Sequence, residues 1–238
     1  MRYSRPAMLH IPKIQAITLD LDDTLWPIGP TIALAEQALQ DWLCLHAPRT
    51  AQLCAQVETR QEIRRIVQIR HTDQAHDLSF LRREAIRESL LRAGDAQDLA
   101  QAAFEVFFAA RQQVRLFDGV EEALARLSQR YALVAVSNGN ADVFCTPAGP
   151  YFKTSLSARA FGVAKPDVRI FEAAAAQLGL AVEAVLHVGD DCWADAAGAL
   201  NAGMQAVWIN ADDRAWTHAV PQPLTVRHLS ELCYHLLP

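Results

Sequence analysis

No apolar run in this 238-residue chain approaches the roughly 20 residues of a membrane-spanning helix, so no membrane partner is expected. Pro6 and Pro12 break up Met1 to Lys13, which has no long apolar core, so no secretory signal is expected there. Cysteines are scarce and unpaired. Cys44, Cys54, Cys145, Cys192 and Cys233 form an odd set without a C-x-x-C spacing. They offer neither a disulfide framework nor a zinc site, and they point to a reducing, cytoplasmic setting. Positive charge is also short, with 22 Lys and Arg against 27 Asp and Glu and a formal net charge of −5. That balance argues against a nucleic-acid partner. Internal repeats, charge blocks and low-complexity tracts are absent. The rest is 51% hydrophobic and 21% charged. This is a globular composition, long enough for one large domain or a domain with an insert.

The stretch Ile17-Thr18-Leu19-Asp20-Leu21-Asp22-Asp23-Thr24-Leu25-Trp26 opens as an apolar run, which predicts a buried parallel strand. Three carboxylates then fall within four residues. Carboxylates crowded in this way repel one another and persist chiefly where a cation or a reacting group sits among them. Asp20 and Asp22 share a parity, so in an extended chain both side chains point one way. In open α/β sheets, ligands sit outside the carboxyl ends of the strands. The stretch therefore reads as an acidic metal or phosphoryl site at a strand tip. The plainer alternative is a strand running into an Asp-rich turn.

Beyond Pro27, Gly29 and Pro30 the pattern turns helical until about Arg115. Four amphipathic helices are predicted, carried by Leu34 to Leu45, Leu53 to Arg70, Leu78 to Ala93 and Ala100 to Phe108, with Asp95 as an N-cap for the fourth. Short connections between them suggest an antiparallel bundle. Asp118 and Glu121 have capping-box spacing before another helix. Strand and helix then alternate. Strands are expected at 132–136, 155–162, 184–188, 205–209 and 224–226, and a last helix from Ser230. Such alternation gives a parallel sheet with right-handed crossovers, and the helical block is an insert between its first two strands. The expected division is a core of residues 1–26 and 116–238 and an insert of 27–115.

Polar groups collect where these strands end: Asp20 and Asp22, Ser137 and Asn138, Asp190 and Asp191, with Lys165 just before a helix. Together they suit phosphoryl transfer. A carboxylate attacking phosphorus forms an acyl phosphate and splits hydrolysis into two easier steps. Mg²⁺, which prefers carboxylate and phosphate oxygens, neutralises the charge that opposes that approach. A lysine and a hydroxyl can hold the other phosphoryl oxygens. A second carboxylate protonates the leaving alcohol and later deprotonates water.

Asp20-Leu21-Asp22-Asp23-Thr24 resembles the first motif, D-x-D-x-T, of the haloacid-dehalogenase-like (HAD) superfamily of hydrolases. Ser137-Asn138-Gly139 resembles the second motif, Lys165-Pro166 the third and Gly189-Asp190-Asp191-Cys192-Trp193-Ala194-Asp195 the fourth, in the right order over residues 14–210. The resemblance implies an α/β fold, a Rossmann-like parallel sheet core with an inserted α-helical bundle, the C1 cap of subfamily IA. It implies Asp20 as nucleophile and Mg²⁺ ligand, and Asp22 as general acid/base with its backbone carbonyl on the metal. Ser137 and the Asn138 N–H would bind the phosphoryl group, supported by Thr24 at the substrate loop. Lys165 would bridge that group and Asp20. Asp190 would be a metal ligand, and Asp191 and Asp195 would order the metal's surroundings. Asp191 stands where a serine is common, which leaves a direct, water-mediated or supporting role open. The dehalogenases of the family lack a carboxylate at the position of Asp22, since a leaving halide needs no proton. A phosphatase is expected.

A finer resemblance, to bacterial riboflavin-pathway phosphatases, rests on Leu186 to Asp191, Gly203 to Ile209, Ser137 to Ala141 and Arg5-Pro6. It implies as substrate 5-amino-6-(5-phospho-D-ribitylamino)uracil or FMN. The alternatives are nucleotide, phosphoglycolate or sugar phosphates, or a domain that keeps phosphate on Asp20 as a signal. The expected partner is a small phosphorylated metabolite, and the chain is expected to be a monomer or dimer. His187 reads as a core histidine and Cys192 as a small filler with no base near it in sequence. His71, Asp73, His76 and Asp77 read as a polar helix start, with metal binding or substrate contact as the alternatives. Arg82 and Arg83 read as a solvated helix face that could also meet a substrate's polar end, and Trp26 as buried or lining the pocket.

Overall fold

The computed structural model describes residues 9–237; the Arg5-Pro6 part of the resemblance lies outside them. The chain divides into two compact units. One runs up to Pro27 and resumes at Arg115, and the other is Ile28–Val114.

In the first unit a six-stranded sheet has the order β3-β2-β1-β4-β5-β6, every neighbouring pair parallel. The strands are β1 (Ala16–Leu19), β2 (Ala132–Ser137), β3 (Thr154–Ser157), β4 (Val185–Gly189), β5 (Gln205–Ile209) and β6 (Leu224–Val226). All of β1 and β4 is buried, as a parallel sheet covered on both faces requires. The fold is α/β and Rossmann-like. Leu19 lies level with Ala135 on one side and Val188 on the other. The chain leaving β1 at Asp20 therefore emerges between the ends of β2 and β4. Strand order runs outward from there in opposite senses, and at that reversal an open α/β sheet presents its binding crevice. Helices α6 (Val120–Ser128), α7 (Ala158–Phe161), α8 (Val168–Gln177), α9 (Gly198–Asn201) and α10 (Leu229–Leu236) complete the unit. Ile170, Phe171 and Ala174 of α8 pack with Val134 and Val136 of β2.

The second unit holds α1 (Ile28–His46), α2 (Pro48–Cys54), α3 (Val57–Arg70), α4 (Leu78–Ala93) and α5 (Leu99–Arg111). Leu39 and Leu43 of α1, Ile86 and Leu90 of α4, and Phe104 and Phe107 of α5 share one core.

Several local expectations need correction. The predicted second helix is two, because Gln56 takes extended backbone and the Arg60 guanidinium donates to the Cys54 carbonyl at the end of α2. Asp95 does not cap α5. Its carboxylate accepts from the Thr50 N–H and hydroxyl, both at 2.8 Å, and from Arg49, so it caps α2 from across the unit. Asp118 and Glu121 form no capping box, since Gly119, at φ 77°, is the N-cap of α6 and no side chain caps it. The polar start of α4 is as expected, with Asp77 accepting from the Phe80 N–H at 2.9 Å. The third strand is shorter than 155–162, because Ser157 caps α7 through the Ala160 N–H. No described helix is long and apolar enough to cross a membrane, and all five cysteines are free thiols.

Candidate active site

Asp20 leaves β1 with its N–H donating to the Val188 carbonyl at 2.9 Å, which anchors it between β1 and β4. Lys165 Nζ lies 2.6 Å from Asp20 Oδ1, 2.6 Å from Asp195 Oδ1 and 2.7 Å from the Val136 carbonyl. Three acceptors match the ammonium's three donors. Burial works to lower the Lys165 pKa, but Asp195 and Asp20 outweigh it and keep the group protonated, above its ordinary range. Asp195 is also deeply buried, yet Lys165 and a hydrogen-bonded His187 hold its carboxyl below the usual range. Asp20 goes the other way. Burial pushes it well up against the pull of Lys165, and the charges of Asp195 and Asp22 add to the rise. One ammonium between two buried carboxylates leaves negative charge in excess.

Asp190, at the end of β4, adds to that excess. Burial, then Asp195 and Asp23, push its carboxyl up to about 7. Its Oδ1 accepts from the Thr24 hydroxyl at 3.3 Å. Carboxylate oxygens of Asp20, Asp190 and Asp195 lie within 4.8 Å of one another. Hard oxygen donors carrying uncompensated charge fit a divalent cation such as Mg²⁺. Asp195 is already engaged by Lys165, His187 and the Asp191 N–H, so Asp20 and Asp190 are the residues that would hold the ion.

Asp22 lies half-buried, its Oδ1 accepting from the Trp26 indole N–H at 2.8 Å. Gly139 is set against it. A Cβ there would overlap Asp22 Oδ2 and come within 3.1 Å of Ser137 Oγ. We expect Gly139→Ala to displace the Asp22 carboxylate and lower kcat between about 10- and 100-fold, with thermal stability near wild type. Steady-state kinetics beside a melting curve test this.

The remaining motif residues have specific partners. Ser137 Oγ is buried and accepts from the Gly139 N–H at 2.9 Å. The Asn138 side chain clamps the Lys165 backbone, accepting from its N–H at 2.8 Å and donating to its carbonyl at 2.9 Å. Asp191 is exposed and its Oδ1 accepts from the N–H groups of Trp193 and Ala194 at 2.7 and 2.8 Å, capping the turn Cys192–Ala197. Asp191 is thus engaged by its own turn, and the carboxylate cluster is made by Asp20, Asp190 and Asp195.

Four contributors are not evident from the motifs. His187, fully buried, is bonded to Asp195 through Nε2 at 3.2 Å and to Thr18 through Nδ1 at 2.8 Å. A carboxylate only accepts, which assigns the proton to Nε2 and makes Thr18 the donor to Nδ1. Burial lowers the His187 pKa, so it serves as a neutral prop for Asp195. Trp208 Nε1 and the Arg214 guanidinium both donate to the Asp190 carbonyl, at 2.8 and 2.7 Å. His218 lies 3.3 Å from Cys192 Sγ and stacks on Trp193, so Cys192 does have a base beside it. Trp26, which holds Asp22, did carry a signal, since it lies four residues past Asp22 and just beyond the motif.

A family model described as haloacid dehalogenase-like hydrolase matches residues 14–203. The chain is 31% identical over 98% of its length, and 98% of the relative's, to a protein of Escherichia coli K12 named 5-amino-6-(5-phospho-D-ribitylamino)uracil phosphatase YigB. It is 33% identical to the phosphoserine phosphatase of Thermus thermophilus over 63% of each chain. Among solved structures, one titled a 2-haloacid dehalogenase from Pseudomonas syringae pv. Tomato DC3000 superposes with a TM-score of 0.86. It is 38% identical, covering 94% of this chain and 98% of that one.

Proposed function

The chain belongs to the haloacid dehalogenase-like hydrolases, and we propose that it is a Mg²⁺-dependent phosphomonoesterase working through an aspartyl phosphate on Asp20. Ile28–Val114 serves as the cap. In this reading an Asp20 oxygen attacks phosphorus, the ester P–O bond breaks, and Asp22 gives its proton to the departing alcohol. Asp22 then takes a proton from the water that attacks the acyl phosphate, releasing phosphate and restoring Asp20. Ser137 and the Asn138 N–H hold phosphoryl oxygens, Lys165 keeps Asp20 oriented, and Asp195 keeps Lys165 charged. Mg²⁺, held by Asp20, Asp190 and the Asp22 carbonyl, would neutralise the phosphoryl group that an anionic nucleophile must approach.

The observation that carries this reading is the second carboxylate. The structural likeness to a protein titled a dehalogenase favours halide displacement as a second reading. A halide leaves without a proton, whereas an alkoxide needs one. Asp22, two residues past Asp20 and held by Trp26 at 2.8 Å, is the group that could supply it. Phosphatase-named relatives support the same choice. For the substrate we propose 5-amino-6-(5-phospho-D-ribitylamino)uracil, the compound in the name of the E. coli relative, or FMN. The setting proposed is cytoplasmic, with the chain a monomer or dimer.

The test offers those two compounds, nucleotides, phosphoglycolate, sugar phosphates and 2-chloropropionate, and measures phosphate and chloride release. Phosphate release alone is expected, and chloride release alone would overturn the reading. Chelation by EDTA should lower phosphate release about 100-fold or more, with recovery on adding Mg²⁺. Full activity after exhaustive chelation would rule out the metal.

A further inference from the structure

The helical unit contains a cavity of about 530 Å³ lined by residues of α1 to α4 and the short connection after α2. That volume falls among small-molecule sites, which run from roughly 300 to 1,000 Å³. None of the motif residues of the strand tips lines it. Its polar wall is dominated by guanidinium groups, from Arg60 and Arg64 of α3 and Arg82 of α4. Among the described residues that line it, Glu36 is the one carboxylate. Glu36 Oε1 accepts from Arg82 at 2.5 Å and also from Arg64. Arg60 is turned to the Cys54 carbonyl. The opposite wall is apolar, with Leu43, Ile63 and Ile86.

Three cations around one anion leave a formal excess of two positive charges in a partly enclosed space. The Arg82 end of this wall is largely covered, while Arg64 reaches solvent with 36% of its side chain exposed. The Arg82 side chain is 16% exposed and Glu36 is 20% exposed, and the Arg82 guanidinium sits 4.1 Å from the centre of the Phe107 ring. Burial lowers the Arg82 pKa, and the neighbouring Arg64 and Arg60 add to the fall against the support of Glu36. Fixed cations short of counter-charge, in a cavity with an apolar wall, are what an anion with a hydrocarbon body would neutralise. Guanidinium forks match carboxylate and phosphate oxygens equally well.

We propose that this cavity binds a small organic dianion, its charged end on Arg60, Arg64 and Arg82 and its apolar body against Leu43, Ile63 and Ile86. Helical spacing explains how the sequence builds it. Arg60 and Arg64 are four apart on α3 and share a face, and Arg82 meets them because α4 packs on α3 through Leu81, Ala85, Ile63 and Val67. The site stands apart from the phosphatase reading and does not depend on it.

The test titrates the full chain, saturated with Mg²⁺, with succinate as a dicarboxylate and with methylphosphonate as a non-hydrolysable phosphoryl dianion, and follows heat. Saturable one-to-one binding of at least one probe is expected, and the one bound more tightly identifies the headgroup. Arg64→Gln should weaken that binding tenfold or more. Glu36→Gln, which removes the competing carboxylate, should tighten it threefold or more; opposite signs separate a binding site from a general loss of structure. Asp20→Asn should bind the probe within twofold of wild type. If circular dichroism shows either helical-unit variant unfolded, Arg60→Gln replaces it, with weakening expected. Absence of binding by both probes, binding unmoved by the arginine variant, or binding lost in Asp20→Asn would each overturn the proposal.

Discussion

Asp20→Asn should lower phosphate-ester turnover by about 10³-fold or more while leaving the protein folded. An amide cannot take the place of the carboxylate as nucleophile, and no other carboxylate has the same setting. Asp195 is tied to Lys165, His187 and the Asp191 N–H, and Asp190 to Thr24. The variant should not be less stable. Burial pushes the Asp20 carboxyl well up, so at neutral pH an ionised Asp20 costs folding free energy that a neutral amide does not. Lys165 keeps Asp195 and the Val136 carbonyl as partners. A melting temperature at or above wild type, with turnover gone, is the expected pair of results. Residual turnover above a few per cent would remove Asp20 from the chemistry.

Lys165→Met should have the largest effect on stability, about 3–5 kcal/mol at neutral pH, because it strands buried carboxylates without their cation. Activity should fall with it. The pH dependence gives a sharper signature. In the wild type, the Asp195 carboxyl is held below its ordinary range by Lys165 and His187. Its contribution to stability is therefore fully present above the unfolded pKa of about 4 and is lost as pH falls through the depressed folded value. Without Lys165, the Asp195 carboxyl also rises above that unfolded value and Asp20, already raised, rises further, so the folded state binds protons more readily than the unfolded one. The stability deficit of the variant should then shrink as pH is lowered from 7 toward 5, because Asp195 takes up a proton over that range in the variant but not in the wild type, where Lys165 and His187 hold it low. Denaturant melts of both proteins at several pH values test this. A deficit that grows on acidification would contradict the assigned ion pairs.

The sheet was legible because its strands are apolar runs ended by polar residues. Leu133 to Val136 and Val185 to Val188 can be little else but buried parallel strands, and the residues after them carry the chemistry. Motif spacing brought Asp20, Lys165 and Asp190 into one frame. Periodicity told that residues 31–115 are helical but not which faces meet. Asp95 binding Thr50, 45 residues away, follows from how α2 packs in the unit. Arg82 could be read in the sequence as a solvated face or as meeting a substrate's polar end, but its grouping with Arg60 and Arg64 was hidden for the same reason, since periodicity does not say which helix covers it. His187 looked like core, as it is, but its bond to Asp195 depends on the irregular turn Cys192–Ala197. Arg214 and His218 sit in a loop after β5 with no motif to mark them. Local capping failed at Asp118, where glycine's freedom at φ 77° took the N-cap instead.

The most direct experiment is a rapid acid quench during turnover of the best phosphate ester from the substrate panel, followed by borotritide reduction and peptide mapping. Reduction converts an aspartyl phosphate to labelled homoserine. Label at position 20, forming and decaying fast enough to account for turnover and absent from Lys165→Met, is the expected result. An active enzyme that carries no label at position 20, or carries it on another carboxylate, would contradict Asp20 as the residue that takes the phosphoryl group.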